Sequence, residues 1–78
     1  MQWENHIVSE NNILAGKPII KGTRISVEMI LQHLNNGWNR QTIKEAYPHL
    51  TEEQLNAVFS FIYDCISNES LISLKRSA

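Results

Sequence analysis

A mainly α fold is predicted: three short helices in a homeodomain-like or helix-turn-helix bundle, preceded by a short N-terminal β-arm or hairpin. Two observations carry it. From Ser26 onward apolar residues recur at helical spacing between clear start and stop signals, whereas Gly16–Val27, GKPIIKGTRISV, packs glycine, proline, three basic residues and β-branched residues together. The 78-residue chain reads as one domain, with the arm over 1–26, the three-helix core over 27–67 and a tail over 68–78.

Within the arm, Gly16 and Pro18 bracket a turn, and Ile19 and Ile20 suit a half-buried strand because β-branched side chains pack well on a pleated surface. Lys21-Gly22-Thr23 is a turn candidate in which Gly22 can take a positive φ, and Arg24–Ser26 reads as a short return strand. His6–Ser9 offers another short strand beside this hairpin, with Trp3, Ile7 and Val8 as apolar anchors, and Ile13 and Leu14 are expected to cover the core. Lys17, Lys21 and Arg24 make the arm the most basic segment, suited to a phosphate backbone or an acidic partner. It is not a P-loop, since Gly16-Lys17 is followed by Pro18 and position 11 is Asn11, where that motif needs glycine and Ser or Thr.

The first helix is expected over Val27–Asn35, with Ser26 as its cap and Val27, Ile30, Leu31 and Leu34 on one apolar face at i, i+3, i+4 and i+7. Asn35-Asn36-Gly37 stops it, because Gly or Asn accepts the left-handed conformation after a helix. Asn39 caps a second helix over Arg40–Tyr47 with Ile43, Ala46 and Tyr47 inward; Trp38 and Ile43 have the spacing of a hydrophobic staple, and Pro48 ends the helix. Thr51-Glu52-Glu53-Gln54 is a capping box that opens the third helix, and its carboxylates suit the positive end of the helix dipole. Leu50 and Leu55 repeat the staple.

The third helix has more apolar surface than one stripe needs. Leu55, Val58, Phe59, Ile62 and Ile66 form one face, and Ala57, Phe61 and Cys65 a second, with Cys65 expected to be a small buried side chain. Either the helix is central and wrapped by the other elements, or its second face packs against a second copy in a twofold dimer. The tail, NESLISLKRSA, offers Leu71, Ile72 and Leu74 for docking on a partner. The candidate dimer or partner contacts are therefore Ile19, Ile20, Phe61, Leu71, Ile72 and Leu74. A chain of this size has a stability of only about 4 to 12 kcal/mol, so oligomerisation is a natural supplement.

Seven basic and eight acidic residues give a formal charge of −1, which argues against generic charge-driven nucleic-acid binding. A single cysteine excludes an intramolecular disulfide and disfavours a zinc site. His6, His33 and His49 are scattered, without the spacing of a metal pair. No nucleophile, base and orienting group can be assembled, so no catalytic, metal or cofactor residues are expected and the chain is not read as an enzyme. The N-terminal dozen residues lack a signal-type apolar run, and Val58–Ile66 is too short for a membrane span. A cytoplasmic location is expected.

Helix, glycine turn, helix is the outline of a DNA-binding helix-turn-helix. If Arg40–Tyr47 enters the groove, Arg40, Gln41, Thr42 and Lys44 project outward, and Arg and Gln read guanine and adenine edges. Lys21 and Arg24 are the secondary contacts. If the third helix entered instead, Glu52 and Glu53 would meet phosphates. The competing reading is a solvated outer face of a structural bundle.

The combination AGKPIIKGTRISVEMIL, a glycine turn at Gly37 and YPHLTEEQLNAVF over Tyr47–Phe59 resembles the bacterial domain of unknown function family four-three-three, over about Ile7 to Tyr63. Two departures stand out: Ala15 replaces a usual glycine before Gly16, and Trp38 replaces a usual small residue after the glycine turn. The resemblance implies a homeodomain-like fold with a β-arm and a VapB-type antitoxin role. It implies a PIN-type ribonuclease toxin as partner, and operator DNA bound by a homodimer. The alternative is a protein-interaction module or structural dimer that never touches DNA.

Overall fold

The computed structural model describes residues 2–67. A 3-10 turn at Trp3–Asn5 leads into β1 (Ile7–Ser9), and a second at Leu14–Gly16 leads into β2 (Pro18–Ile20). Three helices follow: α1 (Val27–Asn35), α2 (Arg40–Ala46) and α3 (Glu52–Ser67). The result is mainly α with an N-terminal antiparallel hairpin.

The hairpin is assembled differently from its expected layout. β2 pairs with β1, Ile7 opposite Ile20, Val8 opposite Ile19 and Ser9 opposite Pro18, so the His6–Ser9 segment supplies the principal partner. The turn after β2 is present: Thr23 N and Oγ1 both donate to Ile20 O, at 2.9 and 2.8 Å, and Gly22 has φ +80°. The chain returns along β2 through the bond from Ile20 N to Ile25 O, 2.9 Å, and one bridge between Ile19 and Ser26. Arg24–Ser26 is held to this single bridge, and the chain turns directly into α1 at Val27, with Ser26 as the cap whose Oγ accepts from Met29 N at 2.9 Å.

All three helix starts are set by local chemistry. Asn39 Oδ1 accepts from Thr42 N at 2.8 Å. Thr51 Oγ1 accepts from Gln54 N at 3.0 Å while Gln54 Oε1 accepts from Thr51 N at 2.9 Å, the reciprocal bonds of a capping box. At the end of α1, Gly37 N bonds Leu34 O and Trp38 N bonds His33 O, both at 3.0 Å, with Gly37 at φ +92°. These are the paired bonds of a Schellman motif, which is commonly sealed by a contact between the two residues at its ends. Here that contact is the Trp38 ring stacked on His33, centroids 4.0 Å apart and nearly parallel. Trp38 thus has a partner that a small residue would lack. His33 Nε2 also lies 2.8 Å from the Tyr47 hydroxyl, which donates to Met29 Sδ at 3.2 Å.

One apolar cluster joins the arm to the helices: Ile7 and Ile20 from the strands, Val27 and Ile30 from α1, Ile43 from α2, Leu50 before α3, and Leu55, Ala57 and Val58 from α3. Ile19 and Ile20 are each 0% exposed. They are therefore corrected from partner contacts to monomer core. Leu31 is 41% exposed, because β2 and α3 cover α1 on its Val27 and Ile30 side. Ala46, expected inside α2, and Cys65, expected to be buried, are exposed as well.

The two-faced third helix has a partial answer. Trp3 stands edge-on to Phe61, centroids 4.7 Å apart, and its Nε1 donates to Asp64 Oδ2 at 2.6 Å. The N-terminal turn therefore occupies the Phe61 face, and Phe61 is corrected from a free partner contact to a half-buried residue packed under Trp3. Of the remaining apolar positions, Phe59 and Ile62 are half-buried against the core, and Tyr63 and Ile66 are 70% and 59% exposed among the described residues. Leu71, Ile72 and Leu74 lie outside the described residues.

Candidate binding surfaces

The basic side chains of α2 converge on one acid from α3. Glu52 is the first residue of α3, one position past the Thr51 cap. Arg40 Nε and Nη2 donate to its Oε1 at 3.2 and 2.7 Å, and Lys44 Nζ donates to its Oε2 at 2.5 Å. Arg40 Nη2 also donates to Asn56 Oδ1, and its guanidinium carbon sits 5.3 Å from the Phe59 ring centre. Hydrogen bonds from Lys44 and Arg40 hold the Glu52 carboxyl well below its usual value of 4.5, at about 2. The pair of cations and the anion border an open depression of about 440 Å³ that also includes Gln41 and Glu45.

The structure brings Arg40, Gln41 and Lys44 to one depression and leaves Thr42 off it, and each of the four is engaged within the chain. Besides Arg40 and Lys44 on Glu52, Gln41 Nε2 donates to Glu45 Oε2 at 3.3 Å, and Thr42 Oγ1 donates to Asn39 Oδ1 at 2.9 Å. Glu52 was readable only as a capping-box and helix-dipole residue; nothing in the sequence aligned it with two cations on another helix.

Lys21 and Arg24 sit apart from this cluster, exposed on the turn after β2, and neither has an ion-pair partner among the described residues. Lys17, the third basic residue of the arm, is bound to Glu28 at 2.7 Å. Beside the turn is a second cavity of about 200 Å³, whose walls include Thr23 and Ile25 on one side and Tyr47, Pro48, His49 and Leu50 on the other. Among the described residues no group of three His, Cys, Asp or Glu side chains could hold a metal ion, and no helix is long and apolar enough to cross a membrane.

Comparison with known families fits this geometry. A family model described as Protein of unknown function (DUF433) matches residues 7–62, from the first core residue of β1 through most of α3. The chain belongs to the DUF433 family. The match takes in the hairpin, all three helix caps and the α2–α3 ion-pair cluster of this DUF433 protein, and leaves Trp3, Tyr63 and Ile66 outside it. No curated protein and no solved structure matches the chain.

Proposed function

We propose that this DUF433 protein is an antitoxin-like binding module of the cytoplasm that acts by engaging another protein, a PIN-type ribonuclease, and does not depend on gripping DNA through α2. The observation that carries this reading is the double engagement of Glu52. A helix that reads a groove presents its Arg and Lys to phosphates and base edges, whereas Arg40 and Lys44 already share a carboxylate. Phosphate contact there would require both cations to leave Glu52 and the acid to face the DNA. The exposed Tyr63 and Ile66 of α3 support a protein partner, and the proposal includes self-association into a homodimer.

Operator binding is the second reading, favoured by Lys21 and Arg24 on the arm turn, which have no ion-pair partner among the described residues. A mobility-shift assay with the DNA flanking the coding sequence, run at rising salt, separates the two. The expected outcome is no retained fragment, together with a stable complex when the chain is co-expressed with the product of the adjacent gene and sized by light scattering. A sequence-selective DNA complex whose affinity falls steeply with salt and drops in Arg40→Ala or Lys44→Ala overturns the protein-binding reading in favour of the operator one.

A further inference from the structure

Two of the segments that carry the family resemblance, Lys21–Arg24 and Tyr47–Thr51, are far apart in the chain yet meet at the smaller cavity. Thr23 from one and Tyr47, Pro48, His49 and Leu50 from the other help form its walls. The turn is held in place by the Thr23 bonds to Ile20 O and by the bond from Ile25 N to Thr23 Oγ1, 3.0 Å. The opposite wall is fixed by Pro48, by the bond from Leu50 N to Tyr47 O, 2.9 Å, and by the Thr51 cap that follows. Both walls are thus built before anything binds.

Size and charge define what fits. Sites for a whole small molecule begin at roughly 300 Å³; about 200 Å³ accommodates one apolar side chain of leucine or methionine size. Among the described residues no carboxylate lines the cavity. The acids next in sequence to lining residues are turned to other work, Glu45 accepting from Gln41 and Glu53 lying 3.9 Å from His6. Lys21 and Arg24 do not line the cavity but are exposed two positions before and one after the lining residue Thr23, without an ion-pair partner among the described residues, and His49 is exposed on the other wall. An apolar hole gives nothing to a phosphate backbone, but an apolar anchor set in a desolvated pocket with charges at the rim is the usual layout of a protein-interaction hot spot.

We propose that this cavity is the anchor site for an acidic peptide segment of a protein partner, one apolar side chain entering between Ile25 and the Tyr47–Leu50 wall and flanking carboxylates meeting Lys21 and Arg24. The inference rests on the protein-binding reading above and names where that partner docks.

The test is a titration of the isotope-labelled full chain, followed by amide chemical shifts, with a five-residue peptide carrying leucine between two pairs of acidic residues. Shifts are expected in residues 23–25 and 46–50. A peptide with serine in place of leucine, and one with lysines in place of the acids, should each bind about tenfold more weakly or worse. Ala46→Leu, which fills the cavity from an exposed lining position, and the double charge reversal Lys21→Glu with Arg24→Glu should each lower affinity for the first peptide by a similar factor. Equal binding of the three peptides, shifts confined to other residues, no shift at millimolar peptide, or displacement of the peptide by a short DNA duplex overturns the anchor site. If the adjacent-gene product binds wild type and both variants alike, the anchor site falls while the protein-binding reading stands. If it fails to bind wild type and DNA is retained instead, the reading itself falls.

Discussion

The N-terminal arm and the helical half share one core but are specified in different ways. Each helix begins with a side-chain cap a few residues from the amide it serves: Ser26 for Met29, Asn39 for Thr42, Thr51 for Gln54. The arm has little such local instruction. Between its strands the backbone passes through three consecutive left-handed residues, Leu14, Ala15 and Gly16, at φ +50°, +57° and +82°, and the loop is closed by a bond from Ser9 Oγ to Gly16 O. The strands are placed by what they bury, Ile7 and Ile20 against α1 and α3. The helices are therefore locally written, and the arm is held by tertiary contact.

The strongest way to break that contrast is to remove equal bulk from each side. Ile20→Ala and Leu55→Ala both empty a site that is 0% exposed, and each should cost about 3 kcal/mol in a urea melt followed by circular dichroism. A cost near 3 kcal/mol for Leu55→Ala beside one under about 1 kcal/mol for Ile20→Ala would make the arm a detachable appendage and not part of the core.

This division also explains what could be read from the residues alone. The helix bounds, the three caps, the Gly37 stop and the Gly22 turn depend on neighbours within about four positions, and all are visible in the sequence. The strand partner of β2 was harder, because the β1 and β2 segments are separated by a loop whose left-handed residues are mostly not glycine. Cys65 and Leu31 misled because helical spacing says which residues share a face but not how far the neighbouring elements reach along it. The burial of Ile19 and Ile20 shows that a β-branched pair in a two-stranded hairpin can be covered on both faces. The Glu52 cluster is a contact between helices, and no local spacing encodes it.

Thr51→Ala tests the helical side of the contrast at smaller scale. It removes the acceptor for Gln54 N while leaving Leu50 and Leu55 in place, and about 1 kcal/mol of stability should be lost. No measurable loss would mean that α3 is started by its packing alone and that its cap is ornamental.

Ala15→Gly tests the arm in the opposite direction. A left-handed conformation costs a residue with a Cβ roughly 1–2 kcal/mol, and glycine recovers part of that after its larger unfolded-state entropy is counted. With Ala15 at φ +57°, the substitution should raise stability by about 0.5 to 1 kcal/mol. The position is one where the family resemblance expects glycine, so the departure from pattern coincides with the strained backbone. A neutral or destabilising result would show that the arm tolerates this turn without strain.

The smallest effect is expected where the two regions' charges differ most, at Glu52. Its carboxyl is lowered from 4.5 to about 2 by Lys44 and Arg40, so the folded state binds that proton more weakly than the unfolded chain. The stabilisation is fully present above pH 4.5 and is lost progressively as pH falls toward 2. Because Glu52 is solvent-exposed, screening by water and salt keeps the contribution small. Unfolding midpoints measured between pH 6 and pH 2.5 at low and high salt should therefore fall less steeply in Glu52→Gln than in wild type, and the difference should shrink at high salt. The same variant frees Arg40 and Lys44, so it should also retain DNA better than wild type at low salt; if both proteins behave alike in the two assays, the cations on α2 are not held by Glu52 in solution, and the α2 surface is as available to an anion as the arm turn.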